Sequence, residues 1–327
     1  MMPNMTYQIP TVGRIAIGEI IEANGKRLPR RLSHFRITAQ HKRDGNWVEH
    51  PITAAVAKKM GVEPGKLTEI PIKLMVNDPD LIVRERYEAY TDKGRILCAG
   101  DGCKAKRMGR DGDIEAIDCP GPDKCEFGIR NRCDLMVRAN VQIDVEDADR
   151  YTNDEMSTFI LRSGGINTAR TLNRKLKFMA GLFDGNLVGI PMILKLRAKS
   201  SAMSYQSTFY YVDIVLAQSL KESKKLANAE AKERQELGFN QGMFEKAIKD
   251  GLDNGPFEDT PEEFDEYEDI ILGRHTSDED KATAGEGLKI EGEPVADPGA
   301  QSMQALASYI KNLNAESENS AEPAAAA

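Results

Sequence analysis

The sequence predicts an α+β protein: a mainly antiparallel sheet with a few helices, a zinc-stabilised loop region and a disordered acidic tail. Three observations predict it. Several short, Ile-rich stretches alternate with a period of two, which is the mark of half-buried strands. Elsewhere the apolar residues recur at the 3.6-residue spacing of a helix. All five cysteines fall in one Gly- and Pro-rich window, and charge is divided sharply between body and tail.

The strand candidates come first along the chain. They are residues 14–21 (RIAIGEII), 68–75 (TEIPIKLM), 86–91, 134–143 and 157–162. Then the period changes: Ala169, Leu172, Leu176, Met179, Ala180 and Phe183 share one helical face, with Asn167 as the expected N-cap and Gly185 as the stop. Two more strands are expected at 188–199 and 205–215, then helices at about 216–235 and 243–252. Beyond that, Asp253–Gly299 is acidic and poor in apolar residues, so burial cannot offset its ordering entropy. The expected organisation is therefore a globular body over 1–252, an acidic disordered linker over 253–299, and a short helix and tail over 300–327.

The formal net charge of −8 conceals this division. Residues 253–327 hold 19 acidic and 4 basic residues, a net −15, which leaves the first 252 residues at +7. A basic body attracts polyanions. No apolar run approaches the roughly 20 residues that span a bilayer. The opening MMPNMTYQIP has neither the basic nor the apolar region of a signal peptide, so a cytoplasmic location is expected.

The cysteines are Cys98, Cys103, Cys119, Cys125 and Cys133, and none of the four histidines lies nearby. Paired thiolates on Gly/Pro turns are how a tetrahedral zinc shell is built, and an all-cysteine shell is structural rather than catalytic. Cys103, Cys119, Cys125 and Cys133 are the expected ligands, with Cys98 left as a buried spare at the end of an apolar stretch. An iron–sulfur cluster uses the same ligand chemistry and stays open, as do free buried thiols. An odd number of cysteines without a signal peptide argues against disulfides.

Three basic patches stand out. Residues 26–43 carry Lys26, Arg27, Arg30, Arg31 and Arg36 with no acidic residue among them. Arg170 and Arg174 lie off the apolar stripe of the predicted helix, and Lys195 and Arg197 alternate along one strand. Each alone is as consistent with a solvated face as with phosphate contact; together they favour anion binding. No phosphate-binding loop, zinc-protease helix or nucleophile elbow appears, so the residues themselves argue for no catalysis and no small-molecule substrate.

At the level of whole segments the chain resembles the recombination directionality factors that accompany serine integrases in some phages and prophages. The matching residues are Gly13–Gly18, Gly25–Pro29, Asn77-Asp78-Pro79, the cysteine segment, Thr168–Leu172 and Tyr210–Asp213. Some bacterial relatives carry the label "hydrolase or metal-binding protein"; the residues here give the first half no support. The resemblance implies a non-enzymatic, cytoplasmic regulator in the bacterial host. Its partner would be a serine integrase or another phage recombination or replication protein, with DNA as a further contact. The alternative is a zinc-stabilised DNA-binding accessory of phage replication or single-strand annealing.

Overall fold

The computed structural model describes residues 9–23, 26–91, 95–109, 111–125, 128–129, 133–200 and 208–252, without the side chains of 22–23 and 26–29. The expected linker, terminal helix and tail, and the first residues of the strand expected at 205–215, lie outside the described residues. The described residues all fall in the first of two units, Met1–Asp280 and Lys281–Ala327.

Among the described residues twelve strands form the sheet. They are β1 (Thr11–Ala23), β2 (Lys26–Arg43), β3 (Asn46–Glu49), β4 (Glu69–Lys73), β5 (Val83–Tyr90), β6 (Ile96–Gly100), β7 (Lys104–Met108), β8 (Ile114–Asp118), β9 (Asp134–Ile143), β10 (Thr158–Ser163), β11 (Met192–Ser200) and β12 (Thr208–Leu216). The main path runs β3-β2-β1-β10-β9-β5-β6-β7-β8. Every pairing is antiparallel except the parallel pair β1–β10. The mainly antiparallel α+β expectation therefore holds.

β9 is the branch point. Its body pairs with β5 and β10, while Gln142 and Ile143 at its end pair with Lys73 and Ile72 of β4, which leads on to β11 and β12. β9 is buried on both faces: Val137, Ala139 and Val141 on one side, Met136, Arg138 and Asn140 on the other. The first set joins the main apolar core with Phe35, Ile37, Phe159, Leu161 and Leu194.

Six helices are found among the described residues: α1 (Ile52–Met60), α2 (Pro79–Ile82), α3 (Ala148–Thr152), α4 (Ile166–Leu182), α5 (Leu220–Glu236) and α6 (Gln241–Leu252). α4 lays Leu172, Leu176 and Met179 into the core. Its cap is Gly165 rather than the expected Asn167. Gly165 has the extended backbone a cap requires, and its carbonyl accepts the Ala169 N–H at 3.1 Å, so Asn167 is already inside the first turn. α5 begins with a reciprocal capping box between Ser219 and Glu222. No described helix is long and apolar enough to cross a membrane.

The largest departure from the sequence expectation is β2. The basic stretch is an 18-residue strand. Its pairing with β1 shifts between Ala16 and Gly18, where Gly18 faces Arg31 but Ala16 faces Arg36. The extra residues form a bulge that seats Phe35 in the core and lets its N–H reach the Leu67 carbonyl at 2.6 Å. An aromatic interleaved with arginines is here a packing residue.

Candidate thiol cluster and cationic surfaces

The cysteines gather at the β5–β8 end of the sheet. Ala89 pairs with Cys98 across β5–β6, and Asp134 pairs with Glu88 across β5–β9. Cys133, one residue before β9, continues that register to the other flank of Ala89. Cys119 follows β8, whose Ile117 faces Ala105 of β7. Paired antiparallel positions share a face, so Cys98, Ala105, Ile117, Cys119 and Cys133 surround Ala89 in one small cluster. Close approach is built in at Gly100, where an added Cβ would collide with the Lys104 carbonyl oxygen.

Cys125 joins from the loop through Arg107, whose Nη2 lies 3.5 Å from its Sγ. Arg107 also hydrogen-bonds Cys98. Burial pushes the Cys133 thiol up to about 12, and the neighbouring Cys98, Cys119 and Cys125 add to the rise. Burial likewise raises Cys98, with Cys119 and Cys125 contributing and Arg107 opposing. Cys98, Cys119, Cys125 and Cys133 thus sense one another.

Cys103 is placed differently. Its N–H and that of Lys104 both donate to Asp101 Oδ1 at 2.7 Å, and its carbonyl accepts the Cys119 N–H at 2.7 Å. Its side chain is exposed. The structure therefore brings together three of the four expected ligands, Cys119, Cys125 and Cys133, with Cys98 beside them and the Cys103 thiol at the surface. The donor chemistry of four soft thiols suits zinc. As they stand, no three His, Cys, Asp or Glu side chains among the described residues converge tightly enough to hold an ion.

The predicted basic residues divide into two groups. Arg30 and Arg36 both grip Glu19 on β1, Arg36 Nη1 at 2.5 Å from Oε2. Lys195 pairs with Glu69, and Arg197 Nε lies 3.0 Å from Asp213 Oδ2, while Lys175 of α4 binds Oδ1 of the same carboxylate at 2.7 Å. These are internal ion pairs. Among the described residues Arg31, Arg170 and Arg174 are exposed and make no ion pair. The side chains of Lys26 and Arg27 lie outside the described residues.

A further cationic group was not visible as a patch in the sequence. Arg162 on β10 faces Arg138 on β9, which faces Arg84 on β5. Arg14 faces Ile160, two residues before Arg162, and Arg86 and Glu88 follow Arg84 on the same side. These residues lie on the face of the sheet opposite the thiol cluster. Glu88 is fully buried; burial alone would raise its carboxyl, but Arg138 and Arg86, each at 2.5 Å, with Tyr90 at 2.7 Å, hold it at about 2. Arg84 Nη2 donates to Asn140 Oδ1 at 2.6 Å. Arg14 stacks on Trp47, with Cζ 3.5 Å from the ring centre. The sequence signal is Arg at alternate strand positions, but only register aligns the strands.

The fold and these sites define a class of protein: an extended sheet with a cationic face, a thiol cluster at one end and further exposed arginines on β2 and α4. The family model described as Gp3-like, recombination directionality factor-like, matches residues 12–217, which run from the start of β1 to the end of β12. The chain belongs to this recombination directionality factor-like family. No curated protein and no solved structure matches the chain.

Proposed function

We propose that the protein is a non-enzymatic phage or prophage regulator of site-specific recombination that acts on a serine integrase–DNA complex. The family match over residues 12–217 carries this reading. Such a regulator works by differential affinity: it shifts an equilibrium between two integrase–DNA arrangements only as far as it binds one better than the other. Cys98, Cys119, Cys125 and Cys133 would hold a structural zinc ion that fixes the β5–β8 end as a docking surface. The exposed Arg31, Arg170 and Arg174 offer phosphate contacts that would favour a DNA-bound complex.

The test is recombination in vitro with the serine integrase of the same genome, with and without the protein. Excision should rise and integration fall. If neither direction responds and the protein instead retards single-stranded DNA at moderate salt, the replication-accessory reading replaces this one. Turnover of a phosphoester or peptide by homogeneous protein would overturn both.

A further inference from the structure

We infer that the β2–β3 hairpin contacts duplex DNA, with its tip in the major groove and Arg43 and Asn46 at base edges. This deepens the reading above by naming the element that touches DNA, but it needs no integrase.

The first observation is projection. Ala39, opposite Gly13, is the last β2 residue that pairs with β1; Lys42 and Arg43 pair only with Trp47 and Asn46 of β3. The β2–β3 register shifts between Thr38 and Lys42, a bulge that bends the ribbon where it leaves the sheet. Gln40 Nε2 donates to the Thr11 carbonyl at 2.6 Å and ties the base of the ribbon to the start of β1. Beyond that tie His41, Arg43, Asp44 and Asn46 are all exposed. The two turn residues, Asp44 and Gly45, have φ of 53° and 78°. Two positive φ values in a two-residue loop mark a type I′ turn, which matches the twist of the strands and fixes the hairpin's shape. The tip is therefore a narrow, pre-shaped two-stranded ribbon, and the major groove, about 12 Å wide, admits such a ribbon.

The second observation is the chemistry of the tip. Arg43 stands directly opposite Asn46, so the two side chains share a face. Among the described residues Arg43 and His41 make no ion pair and no side-chain hydrogen bond. Arginine matches the O6 and N7 acceptors of guanine, and asparagine the N6 and N7 groups of adenine. Asp44, between them, can accept from cytosine N4. A loop built only to hold phosphates gains nothing from a carboxylate at its tip, so the set fits base edges better than the DNA backbone.

The third observation separates a duplex from a single strand. Trp47 is half-buried, with Arg14 Cζ 3.5 Å and Lys42 Nζ 4.6 Å from its ring centre. Single-strand sites need an open aromatic face on which a base can stack. Here the ring is taken up by cations of its own chain. Its contact with Arg14 joins β3 to β1 across β2, which stiffens the ribbon instead.

The test uses the full chain and a labelled duplex of mixed sequence at low salt. Trp47 is the only tryptophan in the chain, so its emission reports on this hairpin alone. The duplex should bind, and Trp47 emission should change with the same midpoint as the label. Arg43→Ala with Asn46→Ala should weaken duplex binding about tenfold or more and leave the melting temperature nearly unchanged, since both side chains are exposed. A duplex made with purine analogues that lack the N7 acceptor should bind the natural chain more weakly and make no difference to the double variant. Full-strength binding by the double variant, or binding that leaves Trp47 emission unchanged, would overturn the proposal. Failure to bind duplex, or tighter binding of a single strand of the same length, would overturn it too. Recombination in vitro is a separate readout: a chain that binds duplex through the hairpin yet moves neither excision nor integration would remove the recombination reading and keep this one.

Discussion

Arg138 on β9 and Glu88 on β5 form a buried ion pair, Nη1 to Oε1 at 2.5 Å, in the middle of a face otherwise crowded with arginines. Arg86 and Tyr90 bind the same carboxylate, and Arg138 Nη2 reaches the Tyr90 hydroxyl at 3.2 Å. The pair ties the two central strands together on the side away from the main apolar core.

Acid should therefore weaken the fold through Glu88. Its carboxyl sits at about 2 in the folded protein against an ordinary 4.5. The stabilisation is complete above 4.5 and is lost as pH falls toward 2. At about 1.4 kcal/mol per pKa unit this amounts to roughly 3 kcal/mol. Denaturant unfolding of the natural chain and of Glu88→Gln across this range checks it: the variant should be less stable at neutral pH and should show a flatter acid slope. Equal slopes would assign the acid sensitivity to other groups.

Metal content should follow the thiol geometry. Protein purified without added metal is expected to carry about one zinc per chain by elemental analysis. Cys98→Ser, Cys119→Ser and Cys133→Ser should each lose the metal and lower Tm, since a structural site couples binding to folding. Cys103→Ser should retain it, because that thiol is exposed while Cys98 packs beside Cys119 and Cys133. Retention in Cys98→Ser with loss in Cys103→Ser would restore the spacing-based choice.

Asp213 should prove a structural keystone. It is 4% exposed, binds Lys175 of α4 and Arg197 of β11, and accepts the Ile214 N–H at 2.8 Å. Asp213→Ala leaves two partly exposed cations without their anion and should cost about 1–3 kcal/mol. Calorimetric melting measures this; a change below about 1 kcal/mol would show that solvent replaces the carboxylate.

The basic residues should separate into two classes in DNA binding. Removing exposed Arg31, Arg170 or Arg174 should change stability by no more than about 0.5 kcal/mol. If each contacts phosphate, its loss lowers the slope of log affinity against log salt by about 0.9. Glu19→Gln should act in the opposite sense, because it releases Arg30 and Arg36 from their shared carboxylate. Salt titration of affinity for duplex DNA reads both effects. Unchanged slopes in all four variants would remove these arginines from any DNA interface.

Periodicity made much of the fold legible before any coordinates. The strand at 134–143, the helix ending near Phe183 and the helix ending at Leu252 lie where their repeats place them. β2 was hidden because its Lys and Arg residues obscure the alternation and its bulge breaks it. The short strands β7 and β8 were hidden because their face is half exposed and carries little apolar signal.

By itself, the sequence determined what is local: the periods of strand and helix, the cysteine window, and the separation of a basic body from an acidic tail. Only the tertiary structure decided which residues meet. Arg84, Arg138 and Arg162 are distant in the chain and become neighbours through strand register, and the same register sets Cys98 and Cys133 on the two flanks of Ala89 while Cys103 turns outward. The physical reason is that side-chain period belongs to each strand alone, whereas register belongs to a pair of strands and is fixed by which faces the core buries; a one-residue slip would send every one of these side chains to the other side.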